Sequence, residues 1–285
     1  MRILAVGIAT LDIISLVAAY PAEDDEVRAL DQRMARGGNA TNTLVVLSQL
    51  GHRCSWGGVL ADTPESRYIL DDLAKHHIDI SHVVRCEDGR TPISCVTLNR
   101  QGGSRTIVHS RRLPEFSDQD FSRIDTAAFD WIHFEGRNVP QLEKMLRRMK
   151  SGANCSLEIE KPREGIEALF PMVGLLMFSS GYARCRGFQD GAALLSAVRN
   201  QAGNGMLMTC AWGERGAWGM DRNGSVQFSP AYIPRISVDT LGAGDVFNAA
   251  VIHGVAGGDS MKKYLAAACK LAGEQCGREG LDIER

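Results

Sequence analysis

Long apolar runs are missing from this sequence: no window of its 285 residues reaches the roughly 18 consecutive apolar residues of a membrane-spanning helix, so no membrane partner is expected. The N-terminal stretch MRILAVGIATLDIISLV is broken by Asp12, carries a single leading Arg2 and offers no small-residue cleavage site, so it reads as a first strand and not a leader. A soluble cytoplasmic protein is expected. Cysteine pairs of metal-binding spacing are missing too. The eight cysteines (Cys54, Cys86, Cys95, Cys155, Cys185, Cys210, Cys269 and Cys276) contain no C-x-x-C and form no ligand-like cluster with the seven histidines, which favours free thiols. Nor is there an excess of charge of one sign. The 32 basic and 34 acidic side chains leave a net charge of −2, no electrostatic footprint for nucleic acid or anionic lipid, and the partner expected is a small molecule. Internal repeats, low-complexity tracts and flexible linkers are absent.

What is present is globular: 44% hydrophobic and 23% charged residues, enough for a large core in one domain or a domain with an insert. Short apolar runs of strand length alternate with helical spacing. RILAVGI (2–8) precedes a helix in GGNATNTLVVLSQLG (37–51). CSWGGVL (54–60) precedes a helix opened by Asp62-Thr63-Pro64, and WIHFEG (131–136) a helix around 140–150. CSLEIE (155–160), GLLMFSS (174–180), a helix around 190–201 and MLMTCA (206–211) follow. This order predicts an α/β fold of three layers, α/β/α, around a mostly parallel central sheet.

Residues 14–35 and 92–110 break the rhythm, the second with alternating side chains around a Gln-Gly-Gly-Ser turn. Both read as strands outside the main sheet. The expected organisation is one domain over 1–285 with a small β-strand lid from segments of about 13–36 and about 91–112. Its open apolar face would need cover, for which a second copy of the chain, a homodimer through the lid strands, is a natural source, with a substrate or the parent domain as alternatives.

The glycine-rich stretch DTLGAGDVFNAAV (239–251) carries the chemistry. It is no dinucleotide fingerprint, because Phe247 stands where a third glycine belongs and residues 7–12 read GIATLD. It is no P-loop either, since Gly244 is followed by Asp245 and Val246. ISVDT reads as a strand end and a helix as starting at about Asp245, with its first-turn amides free to receive an anion. Asp245 is then either an acid that stabilises the helix dipole or a catalytic carboxylate beside the anion hole, and spacing alone leaves both open. A second turn, RGGNATN (36–42), places Asn39 and Asn42 three apart on one helical face. They suit a polyol, or else form an N-cap and a solvated amide. Asp12 is likewise a turn residue or a ligand to hydroxyls. All three turns are expected to converge at the carboxyl ends of parallel strands.

Gly7-x-x-x-x-Asp12, GGNATN (37–42) and DTLGAGDVFNAA (239–250) together resemble the ribokinase-like carbohydrate kinases, also called the phosphofructokinase-B family. YPAEDDEVRALDQRMARGGNAT, GSRTI (103–107), WIHFEGRN (131–138), EIEKPRE (158–164) and CAWGERGA (210–217) resemble the branch of that family that phosphorylates the 1-hydroxyl of a ketohexose. The resemblance runs nearly end to end. It implies ATP-dependent conversion of a ketohexose such as D-fructose to the 1-phosphate. Asp245 would be the base and Gly242, Ala243 and Gly244 would form the phosphate turn, with the amides of Ala243, Gly244 and Asp245 as anion hole. By the same resemblance Asp12, Gly38, Asn39 and Asn42 hold the sugar, and Arg105 on the lid reaches the phosphates of ATP. The nucleotide lies along Ala211, Trp212, Gly213 and Gly216, with Asn248 and Cys276 at the adenine end. At a helix N-terminus the carboxyl of Asp245 is expected to have a lowered pKa, which suffices where proton loss is late and orientation dominates.

The sequence departs from the wider family after GLLMF. An Asn-x-x-Glu motif that orders Mg²⁺ through water is common there, but this chain reads SSGYARCRG, without an acid, and Ser180-Gly181 stands where the ketohexose branch carries Lys-Asp. Glu160, at the preceding strand end, is the substitute expected to approach Mg²⁺ through water, and K⁺ beside Asp239 is left open. The alternatives are a kinase of this fold for another sugar or a nucleoside, and a non-catalytic sugar or nucleotide sensor.

Overall fold

Strand β1 (Arg2–Val6) sends Ile3 and Ala5 to one side and Leu4 and Val6 to the other, and all four are buried, as in a strand covered on both faces. The computed structural model describes residues 1–101, 104–149, 154–203 and 205–283. After β1 come β2 (Thr10–Val17), β3 (Asp31–Gly37), α1 (Asn39–Gln49), β4 (Arg53–Ala61), α2 (Pro64–Lys75), β5 (Asp79–Cys86), β6 (Arg90–Asn99), β7 (Arg105–Arg112), α3 (Asp118–Phe121) and β8 (Trp131–Glu135). They are followed by α4 (Val139–Arg148), β9 (Cys155–Ile159), β10 (Leu175–Ser179), α5 (Ser180–Cys185), α6 (Gly191–Ala202), β11 (Leu207–Ala211), β12 (Ala217–Met220), β13 (Val226–Ser229), α7 (Ala243–Ala256) and α8 (Met261–Cys276).

The main sheet has the order β13-β12-β11-β10-β9-β8-β1-β4-β5. From β11 to β5 all neighbours are parallel, and β12 and β13 close one edge antiparallel. Ile3, Ala5, Trp131 and Met177 pack under α1, α7 and α8, whereas Leu4, Val6, Ile132 and Phe178 pack under α4 and α6. The expected three layers are thus present. Edge strand β5 and the β12–β13 hairpin were not anticipated: β5 is only half-buried, without a continuous apolar run, and β12 and β13 are four residues each.

The four remaining strands form a second sheet, β3-β2-β6-β7, in which β2 and β6 run parallel and the other pairs antiparallel. Asp12 therefore lies inside β2 and not in a turn after β1, and the second sheet begins at Thr10 and not near residue 13. The glycines predicted at the β6–β7 turn, Gly102 and Gly103, lie outside the described residues.

ISVDT is not a strand end. Residues 230–242 form no strand: the amides of Val238 and Asp239 bond the carbonyl of Cys276 at the end of α8, and Gln275 Nε2 bonds the carbonyls of Asp239 and Leu241. The end of α8 captures this backbone, while Ile236 and Val238 stay 73% and 51% exposed, so their apolar character has no sheet to enter. Helix α7 starts at Ala243, two residues before the position expected.

Candidate active site

Helix α7 begins from Gly242, whose φ of 77° lies in the left-handed region, and no side chain caps this end. Beside Gly244 the space is open, since a Cβ there would meet no atom within 4 Å. The Ala243 amide donates to the Thr240 carbonyl (3.4 Å), whereas the amides of Gly244 and Asp245 have no partner among the described residues and form an anion-receptive corner. Thr240, just before it, accepts a hydrogen bond from Arg105 Nη1 of β7 (2.9 Å), so the second sheet places a guanidinium on the approach to this corner. The turn is braced by Asp239, which accepts from Leu241 N (2.8 Å) and from Arg33 Nη2 (2.6 Å).

Asp245 is the third residue of α7 and only 7% exposed. Its Oδ2 accepts from Asn42 Nδ2 (2.7 Å), the fourth residue of α1, so two glycine turns remote in sequence meet at one carboxylate. Burial pushes the Asp245 carboxyl up to about 7, against the opposing hydrogen bond from Asn42, and the nearby acids Glu135 and Glu160 push the same way. The lowered pKa expected from the helix dipole is thus overturned, because loss of solvation outweighs a dipole effect of about 1 kcal/mol or less. A carboxyl titrating near neutrality is matched to general-base work.

The other sugar-facing candidates lie around this point. Asn39 opens α1 next to Gly38, whose φ of 104° excludes most side chains; a Cβ there would also lie 2.3 Å from the carbonyl of Ile8. Asn39 is not the N-cap, and Asn42 is not solvated. Asn39 Nδ2 instead donates to Glu158 Oε1 (3.1 Å), and Asn248 Nδ2 of α7 donates to the same oxygen (3.1 Å). Glu158 Oε2 is buried without a partner among the described residues. Burial, then the nearby Asp245 and Glu135, push the Glu158 carboxyl well above the usual range. Glu135, at the end of β8, accepts from Ile8 N (2.9 Å), lies 3.3 Å from Arg137 and is likewise pushed up by burial. Asp12 is buried on β2 and accepts from Thr10 Oγ1 (2.7 Å). The groups around the cleft are thus rich in acceptors, a surface that suits a ligand whose hydroxyls can donate.

The nucleotide-side residues are less closely grouped. Ala211 ends β11, and Trp212, Gly213 and Gly216 form the loop into β12. The Trp212 side chain is buried and flanked by the guanidinium carbons of Arg184 and Arg215, 5.4 and 5.2 Å from the ring centre, so its indole is enclosed. Asn248 and Cys276 lie on α7 and at the end of α8, two helices packed on each other. Asn248 turns to Glu158, while Cys276 is half-buried at the end of α8 beside residues 238–239. The Glu160 side chain is 42% exposed and 3.5 Å from Lys161 Nζ. The acid-free stretch after β10 has a local use: Ser179 accepts from Tyr182 N as the cap of α5 and donates to the Glu160 carbonyl. No cluster of three potential metal-ligating side chains occurs among the described residues.

Arg33, Arg36, Glu135 and Glu158 were missed. A signal existed for Glu158 in β9, where Ser156 and Glu158 alternate with Cys155, Leu157 and Ile159. An acid at the carboxyl end of a strand buried on both faces needs an explanation.

Two solved structures share this architecture across nearly the whole chain. Adenosine kinase from Sinorhizobium meliloti is 19% identical with a TM-score of 0.81, over 99% of this chain and 95% of that one. Arabidopsis thaliana ribokinase, complexed with ribose and ATP, is 18% identical with a TM-score of 0.79, over 98% and 93%. The fold is therefore ribokinase-like α/β, with an open helix N-terminus and a buried carboxylate at the mouth of its parallel sheet. The pfkB family carbohydrate kinases match residues 1–284, and the chain belongs to that family. Ketohexokinase from Mus musculus is 40% identical over 291 residues, which cover 99% of this chain and 98% of the mouse protein.

Proposed function

We propose that this protein is an ATP-dependent ketohexose kinase that transfers a phosphoryl group to the 1-hydroxyl of D-fructose or a similar ketose. The observation that carries the reading is Asp245, buried beside the open N-terminus of α7 in a chain 40% identical to mouse ketohexokinase from end to end. Asp12, Gly38 and Asn39 hold the sugar hydroxyls; Asn42 keeps one amide hydrogen for the sugar after binding Asp245. Asp245 Oδ1 accepts the proton of the attacking hydroxyl, and the amides of Gly244 and Asp245, joined by that of Ala243 once it leaves the Thr240 carbonyl, receive the charge that develops on the transferred group. Arg105 steadies the phosphates from the second sheet. Ala211, the backbone of Trp212, Gly213 and Gly216 line the base side, with Cys276 beyond them.

Mg²⁺ supplied with ATP offsets phosphate charge. The residues present fit a metal held chiefly by phosphate oxygens and water, with Glu160 exposed enough to meet it through a water molecule. K⁺ beside Asp239 would compete with Arg33, whose Nη2 already lies 2.6 Å from that carboxylate. We take the whole chain as one domain with the four-stranded sheet as lid. The lid's exposed Met34, Ile107 and Val108 support a homodimer through this sheet. No helix among the described residues is long and apolar enough to cross a membrane, in keeping with a cytoplasmic enzyme.

The test is a coupled ADP-release assay over ketoses, ribose, adenosine and sugar phosphates, followed by NMR location of the phosphate on the product. Turnover with fructose and a 1-phosphate product are expected. Preference for ribose or adenosine would move the protein to another branch, and sugar binding without ATP consumption would make it a sensor. Asp245→Asn should retain nucleotide binding and lose turnover by orders of magnitude.

A further inference from the structure

We propose that Arg36 is a positioning residue of the transfer reaction, fixing the orientation of the Asn42 side chain and thereby presenting the Asp245 carboxylate to the substrate hydroxyl. The inference rests on the reading of Asp245 as the base. Arg36 is the penultimate residue of β3, and its side chain is 3% exposed. A guanidinium only donates and stays charged, so a buried one dictates what its neighbours must be. Nε lies 2.6 Å from Asp72 Oδ2 on α2, and Nη1 reaches Asn42 Oδ1 at 2.6 Å and Thr41 Oγ1 at 3.2 Å.

Asp72 compensates the charge from behind, and charge compensation alone would need nothing more. The forward donor instead selects one of the two amide orientations of Asn42. The carbonyl must face the guanidinium, so the NH₂ must face Asp245 Oδ2, 2.7 Å away. With the amide reversed, a carbonyl would face a carboxylate and an NH₂ a guanidinium, and both contacts would be repulsive. Thr41 adds a stop, because its hydroxyl accepts from Arg36 while donating to the carbonyls of Gly37 and Gly38. The outcome is a line Asp72–Arg36–Asn42–Asp245 drawn from α2, β3, α1 and α7. At its end Oδ2 is engaged and Oδ1 accepts from no described group. The charges facing Asp245 are the acids Glu135 on β8, Glu158 on β9 and Glu160 beyond it, and Arg36 from β3. Arg36 and Asn42 both counter the upward push of burial on its carboxyl. Behind Arg36 stand Asp72 and His76, the latter 4.0 Å from Asp72.

The experiment compares Arg36→Met, Arg36→Lys, Asn42→Ala, the two double variants and Asp245→Asn, with kcat followed against pH, KM for ATP measured at the optimum, and thermal melting as the folding control. Arg36→Met is expected to lower kcat by roughly ten- to a hundredfold, the cost of a misplaced reacting group. It should also move the acid limb of the kcat profile to higher pH, with KM for ATP changed less than about threefold. Arg36→Lys, with one ammonium for three acceptors, is expected to show a smaller change of the same kind and serves if the methionine variant does not fold. In the Asn42→Ala background both substitutions should have little further effect on kcat, because Arg36 acts through Asn42. An unmoved acid limb in a folded Arg36 variant, or effects that multiply with those of Asn42→Ala, would overturn the inference. Near-normal turnover in Asp245→Asn would instead overturn the reading of Asp245 as base, so the two failures are told apart.

Discussion

Replacing Asp245 by Asn is expected to abolish turnover and, at pH 8, to make the protein more stable. The carboxyl is pushed from an ordinary 3.8 up to about 7, chiefly by burial. Below pH 3.8 both folded and unfolded chains carry it protonated, and it has no differential effect. Between there and about 7 the unfolded chain ionises while the folded one does not, so stability contributed by the neutral acid is lost as pH rises. Above 7 the loss is complete. At about 1.36 kcal/mol per pKa unit it amounts to an upper bound of ~4 kcal/mol. Asparagine keeps the shape and an acceptor for Asn42 while removing the ionisation. Urea unfolding at pH 8, 5.5 and 4 should therefore show the variant's advantage largest at pH 8, about half as large at 5.5 and near zero at 4. An advantage independent of pH, or a variant less stable than the parent at pH 8, would refute the assignment of a raised pKa to this carboxyl.

Other consequences follow from the same geometry. Glu158→Leu, which frees the amides of Asn39 and Asn248, should raise KM for the sugar more than KM for ATP. Glu158→Gln keeps an acceptor and should stay within a few-fold of the parent, both read in steady-state kinetics. Arg105→Ala should weaken ADP binding in calorimetry by about 1.5–3 kcal/mol, the range for a charge-assisted hydrogen bond, and leave melting nearly unchanged. Gly38→Ala combines a left-handed φ of 104° with a Cβ 2.3 Å from the Ile8 carbonyl, so it should lower the melting temperature and the sugar affinity together.

The parallel sheet was legible because its strands are buried on both faces and so read as unbroken apolar runs, from RILAV to LLMFS. Edge elements were not: β5 is half-polar, and the β12–β13 hairpin is too short for a period to register. ISVDT has the composition of a strand, but backbone partners decide the state, and here they lie at the end of α8. In the site, the two glycine turns could be found because both open helices with small residues that leave room for a ligand. The direction of the Asp245 shift could not, since it depends on how much water the folded chain removes. The role of Arg36 was invisible for a related reason, and so was that of Glu158 although its place at a buried strand end marked it: each acts through a neighbour's amide, and which way an amide faces is a property of packing and not of spacing.

Only residues 7–9 separate β1 from β2, only residues 87–89 separate β5 from β6, and only Gly38 separates β3 from α1, so short joints connect the second sheet to the main layers. Asp12 rides on one side of these joints, with Asn39 and Asp245 on the other. The cleft is accordingly a calliper with one jaw on the second sheet and the other on the helices α1 and α7. If the cleft takes a polyol as proposed, one long enough to touch both jaws would draw them together, whereas water touches one at a time. Under the proposed reading, idle hydrolysis of ATP would thereby be discouraged without any group dedicated to preventing it.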